Sequence, residues 1–125
     1  MIELFDIIHL EDDEITRRLV EEIAKKFNLK KYKGVNSLAE FTETLKGSRA
    51  RIYIIDELVP EINGMSIEQL ASQAVTSIRS VDKYGAKIII YSAYCESKIP
   101  DIVYVLKCGP SEFIKTIKRV INPTS

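Results

Sequence analysis

The sequence predicts an α/β protein built on a parallel sheet with helices on both faces. Short runs rich in Ile, Val and Tyr alternate with longer segments whose apolar residues recur at helical spacing. The two strongest runs, Phe5–Leu10 and Ile52–Ile55, end abruptly in acids, as a buried strand does when it leaves a sheet for a loop. Strands that alternate with helices are joined by crossovers, and the crossover helices cover the sheet.

Phe5–Leu10 is the first strand, followed directly by Glu11-Asp12-Asp13-Glu14. Ile15, Leu19, Val20, Ile23, Ala24 and Phe27 then keep helical period, giving a helix from about Glu14 to Phe27 with Asp13 as N-cap and Asn28 to close it. Lys31–Val35 is a short edge strand whose lysines discourage unwanted pairing. Ser37-Leu38-Ala39-Glu40 has the form of a capping box and opens a short helix, stopped by Gly47. Arg51–Asp56 is the central strand, and Pro60, Asn63 and Gly64 mark the loop after it. Ser66-Ile67-Glu68-Gln69 opens a long helix with Ile67, Leu70, Ala74, Ile78 and Val81 on one side, lasting to Tyr84-Gly85. Ala86–Ser92 and Ile102–Lys107 are the fourth and fifth strands. Pro110 suits the first turn of a last helix bearing Phe113, Ile117, Val120 and Ile121. With no repeat or linker-like stretch, residues 1–125 read as one domain.

Composition excludes several classes. At 46% hydrophobic and 29% charged, the chain has the make-up of an ordinary soluble globular protein. Lys plus Arg and Asp plus Glu number 18 each, so there is no basic excess to favour nucleic acid or an anionic membrane. No apolar run approaches the roughly 20 residues of a membrane span. Met1–Asp6 lacks the basic region and cleavage site of a signal peptide. Cys95 and Cys108 are too few for a disulfide framework and lack zinc spacing, so the expected compartment is the cytoplasm.

In a parallel sheet the carboxyl ends of the strands share one edge, and ligands bind there. Glu11 and Asp12, Asp56, Ser92 and Lys107 all stand at strand ends. Asp56 alone suits a nucleophile, a metal ligand or a helix cap. The acids 11–14 suit a helix N-terminus, an account that fits Asp13 and Glu14 but not Glu11 and Asp12 as well. His9 falls one residue short of the acidic edge and reads as structural. The lysines from Lys25 to Lys33 read as a solvated face.

Taken in order, Glu11-Asp12, Asp56 with Pro60 and Gly64 behind it, Ser92-Ala93 and Lys107 make the sequence resemble a receiver domain of two-component response regulators, of the stand-alone chemotaxis-regulator type. The resemblance covers essentially the whole chain. It implies a flavodoxin-like three-layer α/β/α sandwich whose five-stranded parallel sheet has the order 2-1-3-4-5, with Asp12 and Asp56 at the topological switch point. It implies Mg²⁺ held by Asp12, Asp56 and the Leu58 backbone carbonyl, with Glu11 acting mainly through a bound water. Asp56 would be the nucleophile that takes a phosphoryl group from a sensor histidine kinase or phosphotransfer protein. Lys107 and the Ser92 hydroxyl would contact phosphoryl oxygens. Ser92 and Tyr104 would form the switch, the aromatic filling space that Ser92 vacates.

Such a domain is a phosphoacceptor for signalling rather than an enzyme with a separate substrate, although it assists its own phosphorylation and dephosphorylation. Its implied output is a downstream protein target, with homodimerisation left open and neither nucleic acid nor membrane as a partner. The alternative is an interaction-only pseudo-receiver not switched by phosphorylation.

The chain departs from the family pattern in two places. Cys108 follows Lys107 where proline, joined by a cis bond, is usual; before a non-proline residue that bond costs about 2.5–4 kcal/mol. The interval 93–106 must hold a strand and two loops, so the fourth helix is expected to be shortened or absent. The chain ends soon after the last helix, and output is expected through protein–protein contacts rather than an attached effector domain.

Overall fold

The chain runs β1 (Glu3–Leu10), α1 (Glu14–Lys26), β2 (Tyr32–Val35), α2 (Leu38–Thr44), β3 (Ser48–Asp56), α3 (Ile67–Val81), β4 (Lys87–Ser92), β5 (Val103–Leu106) and α4 (Pro110–Ile121). This computed structural model describes residues 2–56, 67–82, 85–92, 103–106 and 110–121. The segment expected to carry a shortened fourth helix, together with Cys95 and Cys108, lies outside the described residues.

All strand pairs are parallel, and the sheet order is β2-β1-β3-β4-β5, as the resemblance implied. From β1 the chain steps outward to β2 and then crosses back to β3 on the other side of β1. The direction of winding therefore reverses between the ends of β1 and β3.

Strand alternation sends side chains to two covered faces, which explains why the strands read as continuous apolar runs. Ile8, Leu10, Tyr53, Ile55 and Ile90 pack with Phe41 of α2 and with Ala74 and Ile78 of α3. Ile7, Ile52, Ile54 and Ile89 pack on the opposite face with Val20, Ile23 and Ala24 of α1 and Ile117 of α4. These are the three layers of a flavodoxin-like sandwich.

Helix α1 begins and ends as its sequence predicts. The Asp13 carboxylate accepts from the Thr16 N–H at 3.0 Å. Asn28 takes the left-handed conformation (φ 64°), so its N–H donates to Lys25 O at 3.1 Å and that of Leu29 to Ala24 O at 3.0 Å. That pair of bonds is a Schellman closure, and it buries Leu29.

The boundaries between α2 and β3 differ from expectation. Helix α2 ends at Thr44, before Gly47, and β3 starts at Ser48 rather than Arg51. One residue accounts for both. The Arg49 guanidinium donates to the carbonyls of Leu45, at the end of α2, and Val81, at the end of α3. Arg51 pairs with Asp6 across the strands at 3.6 Å. These arginines interrupt the apolar pattern that marks a strand, although both are strand residues. Helix α3 also stops at Val81, short of the expected Tyr84-Gly85.

Among the described residues, the early start leaves the beginning of β3 without a strand partner on one side, because β4 begins at Lys87, opposite Ile52. The buried Tyr53 hydroxyl substitutes for the missing strand by accepting from the Ala50 N–H at 3.0 Å. Burial pushes the Tyr53 phenol above its ordinary value of 10.0, so it stays protonated. Tyr53→Phe keeps the ring and removes this acceptor. A buried N–H left without a partner costs about 1–3 kcal/mol, and urea denaturation should show a loss of that size. An unchanged midpoint would mean that the Ala50 N–H finds another acceptor.

Candidate functional site

Strands β1 and β3 end side by side, with Leu10 opposite Ile55, so the next residues, Glu11 and Asp56, are brought together. Glu11 is 1% exposed and Asp56 0%, while Asp12 faces solvent. Carboxylate oxygens of Glu11, Asp12 and Asp56 all lie within 4.8 Å of one another. Of the four consecutive acids, the first two thus join Asp56. The other two belong to α1: Asp13 caps it, and Glu14 pairs with Arg18 at 2.8 Å on its exposed face.

Glu11 is tethered from several directions. Its N–H donates to Val35 O of β2 at 2.9 Å. Its carbonyl accepts from Arg17 Nη1 of α1 at 2.6 Å, and its Oε2 accepts from the Asp13 N–H at 3.3 Å. Two residues earlier, His9 is fully buried and its Nδ1 shares a 2.7 Å hydrogen bond with the Tyr32 hydroxyl. Burial, with Glu21 nearby, holds the Tyr32 phenol above its ordinary value of 10.0. His9 is therefore a structural tie between β1 and β2, as its position suggested.

Like charges this close repel by a few kcal/mol per pair even at an effective dielectric of about 20. A hard dication removes that penalty, and the donor set suits Mg²⁺: oxygen only, carboxylate-rich and partly open to water.

Ser92 ends β4, one residue beyond Tyr91, the partner of Asp56, so its backbone reaches the same edge. Tyr104 lies within β5 opposite Ile90. Lys107 and Leu58 lie outside the described residues. In the sequence Arg17 looks like one more solvated helix cation. The signal available was Gly34, because a glycine inside a strand marks the close approach of another group.

A half-open cavity of about 960 Å³ lies at the opposite, amino-terminal edge of the sheet, lined in part by Leu4, Phe5, Arg51 and Lys87. Its Asp6 is engaged by Arg51 and by the Lys31 N–H at 3.0 Å, and among the described residues that edge offers no comparable gathering of acids.

No protein-family model matches the chain, and no curated protein sequence matches it. Solved structures do. The receiver domain of the PhyR response regulator from Erythrobacter litoralis is similar over 95% of this chain and 91% of its own, with 14% identity and a TM-score of 0.73. The receiver domain of a Pseudomonas aeruginosa sensor histidine kinase was solved with a magnesium ion coordinated in its active-site cleft. It is similar over 97% of this chain and 98% of its own, with 15% identity and a TM-score of 0.69. A de novo designed Rossmann 2x3 protein also matches, over 95% and 90%, at 14% identity and a TM-score of 0.65. The fold is thus that of response-regulator receiver domains. Since a designed protein shares it, the fold alone does not specify chemistry, and the site must.

Proposed function

We propose that residues 1–125 form a receiver domain that accepts a phosphoryl group on Asp56 and signals through protein–protein contacts. The observation that carries this reading is the gathering of Glu11, Asp12 and buried Asp56 at the switch point of the sheet. Asp12, Asp56 and the Leu58 carbonyl would hold Mg²⁺, with Glu11 acting through water. When bound, the ion supplies positive charge against the crowded carboxylates and the phosphoryl oxygens.

A carboxylate oxygen of Asp56 attacks phosphorus. The new O–P bond forms as the P–N bond of the donor phosphohistidine breaks, and the imidazole keeps the electron pair. Lys107 sets a fixed positive charge at one phosphoryl oxygen, and the Ser92 hydroxyl donates to another. Movement of Ser92 and Tyr104 would relay the change to a partner surface. No helix among the described residues is long and apolar enough to cross a membrane. The compartment this reading needs is the cytoplasm.

The test is incubation with acetyl phosphate and Mg²⁺, followed by intact-mass measurement of an acid-stable, base-labile adduct. Absence of an adduct would favour the interaction-only alternative.

The outer face of α1 supports a protein phosphodonor. Ile15 is 77% exposed and Leu19, one turn on, 47% exposed, just beyond the acids. An apolar pair at helical spacing fits against a partner helix. Ile15→Lys should slow transfer from a phosphorylated kinase or phosphotransfer domain by about tenfold while leaving labelling by acetyl phosphate unchanged. Equal loss with both donors would place Ile15 in the fold rather than in docking.

A further inference from the structure

We propose that Arg17 is a positioning residue for the acidic cluster, and that Gly34 is glycine so that Arg17 can reach its post. The inference rests on the reading of Glu11, Asp12 and Asp56 as an Mg²⁺ site. Arg17 reaches the cluster through the main chain. Its Nη1 donates to the main-chain carbonyl of Glu11 at 2.6 Å, the peptide oxygen between the two acids. The Glu11 N–H is already fixed to Val35 O at 2.9 Å. With both ends of the Glu11 residue held, the turn from Glu11 into Asp12 has little freedom, which keeps both carboxylates within 4.8 Å of that of Asp56.

To make this contact, the Arg17 side chain crosses from α1 over β2. A Cβ placed on Gly34 would stand 2.7 Å from Arg17 Cδ and 3.2–3.3 Å from Cε1 and Oη of Tyr32. The first distance is shorter than any carbon–carbon contact tolerates. The strand backbone is fixed by its pairing with β1, including His9 opposite Gly34. Arg17 is therefore the group that must yield, and because Cδ lies midway along the side chain, its displacement takes the guanidinium off the Glu11 carbonyl. Gly34 does not adopt positive φ, so alanine there meets no backbone penalty of its own.

Charge and position predict opposite results for this residue, which makes the proposal testable without a kinase. A guanidinium near a cation site disfavours the cation, so if charge alone mattered, Arg17→Met would tighten Mg²⁺ binding. If Arg17 positions the carboxylates, the same substitution weakens binding. Groups that orient metal ligands typically contribute 10–100-fold in affinity.

The experiment is isothermal titration calorimetry with MgCl₂ at fixed pH and ionic strength, well below the melting temperature, on wild type, Arg17→Met and Gly34→Ala. The expected result is about tenfold weaker Mg²⁺ binding in both variants. Gly34→Ala does so with no change in formal charge. Tighter binding in Arg17→Met, or wild-type affinity in Gly34→Ala, overturns the proposal. Should Arg17→Met fail to fold by circular dichroism, Gly34→Ala decides alone. If wild type itself binds no Mg²⁺, the site reading falls and the inference with it. If wild type binds and both variants match it, only the inference falls.

Discussion

Asp56→Asn should abolish the phosphoryl incorporation expected from acetyl phosphate and remove most of the protection that Mg²⁺ is expected to give against thermal unfolding. The substitution keeps the shape of the side chain, so the end of β3 and the packing of Ile54 and Ile55 beneath it should persist. An amide oxygen is neutral and a poor nucleophile, and phosphoryl labelling should fall to background. The same change reduces the cluster from three carboxylates to two. A ligand present at 100 times its Kd stabilises the native state by about 2.7 kcal/mol, and in the variant this gain should shrink toward zero at the same Mg²⁺ concentration. Intact-mass analysis and a melting series with and without Mg²⁺ read the two effects separately. Undiminished labelling in Asp56→Asn would show that another residue is the acceptor and that the cluster serves something else.

Phe41→Ala should destabilise the domain by about 3–5 kcal/mol, measured by urea denaturation. The seven-residue helix α2 buries a single residue fully, Phe41, whose ring meets Tyr53 edge-on with centroids 6.4 Å apart. So short a helix has little stability of its own and is held by what it packs against. Removing the ring leaves a cavity and forfeits an aromatic pair worth about 0.5–1.5 kcal/mol beyond its area. Against a typical total of about 5–15 kcal/mol, the variant would be marginal. Phe41 packs on the opposite face of the sheet from Val20, Ile23 and Ile117, so labelling of the fraction that remains folded should be unaffected. A cost below 1 kcal/mol would mean that α2 is not anchored by this residue.

The architecture was legible because burial on both faces leaves a plain trace. Ile7 and Ile8, or Ile54 and Ile55, are consecutive and both are fully buried, which only a sheet covered on two sides allows. Asp13 and Asn28 were legible as caps because their chemistry is local. The gathering of Glu11 and Asp12 with Asp56 was legible only through the topology, since those residues are far apart in the chain and meet at the switch point. What escaped was side-chain reach. Arg49 carries the charge of a surface residue and caps two helices, so Gly47 took the credit for ending α2. Arg17 serves an atom of the main chain, and neither charge pattern nor periodicity records that.

The phenol that stands in for a strand beside Ala50 also bears on how copies of this protein behave together. A bare strand edge invites a second chain to add to it. Here the Ala50 N–H is taken by Tyr53, and the neighbouring Ser48 carbonyl accepts from Arg49 Nη1 at 2.7 Å. An incoming strand would have to break both bonds before forming its own. With 18 cations balancing 18 anions, net charge does little to keep copies of the chain apart. Among the described residues, two side chains that reach back to their own backbone guard that edge against a second copy.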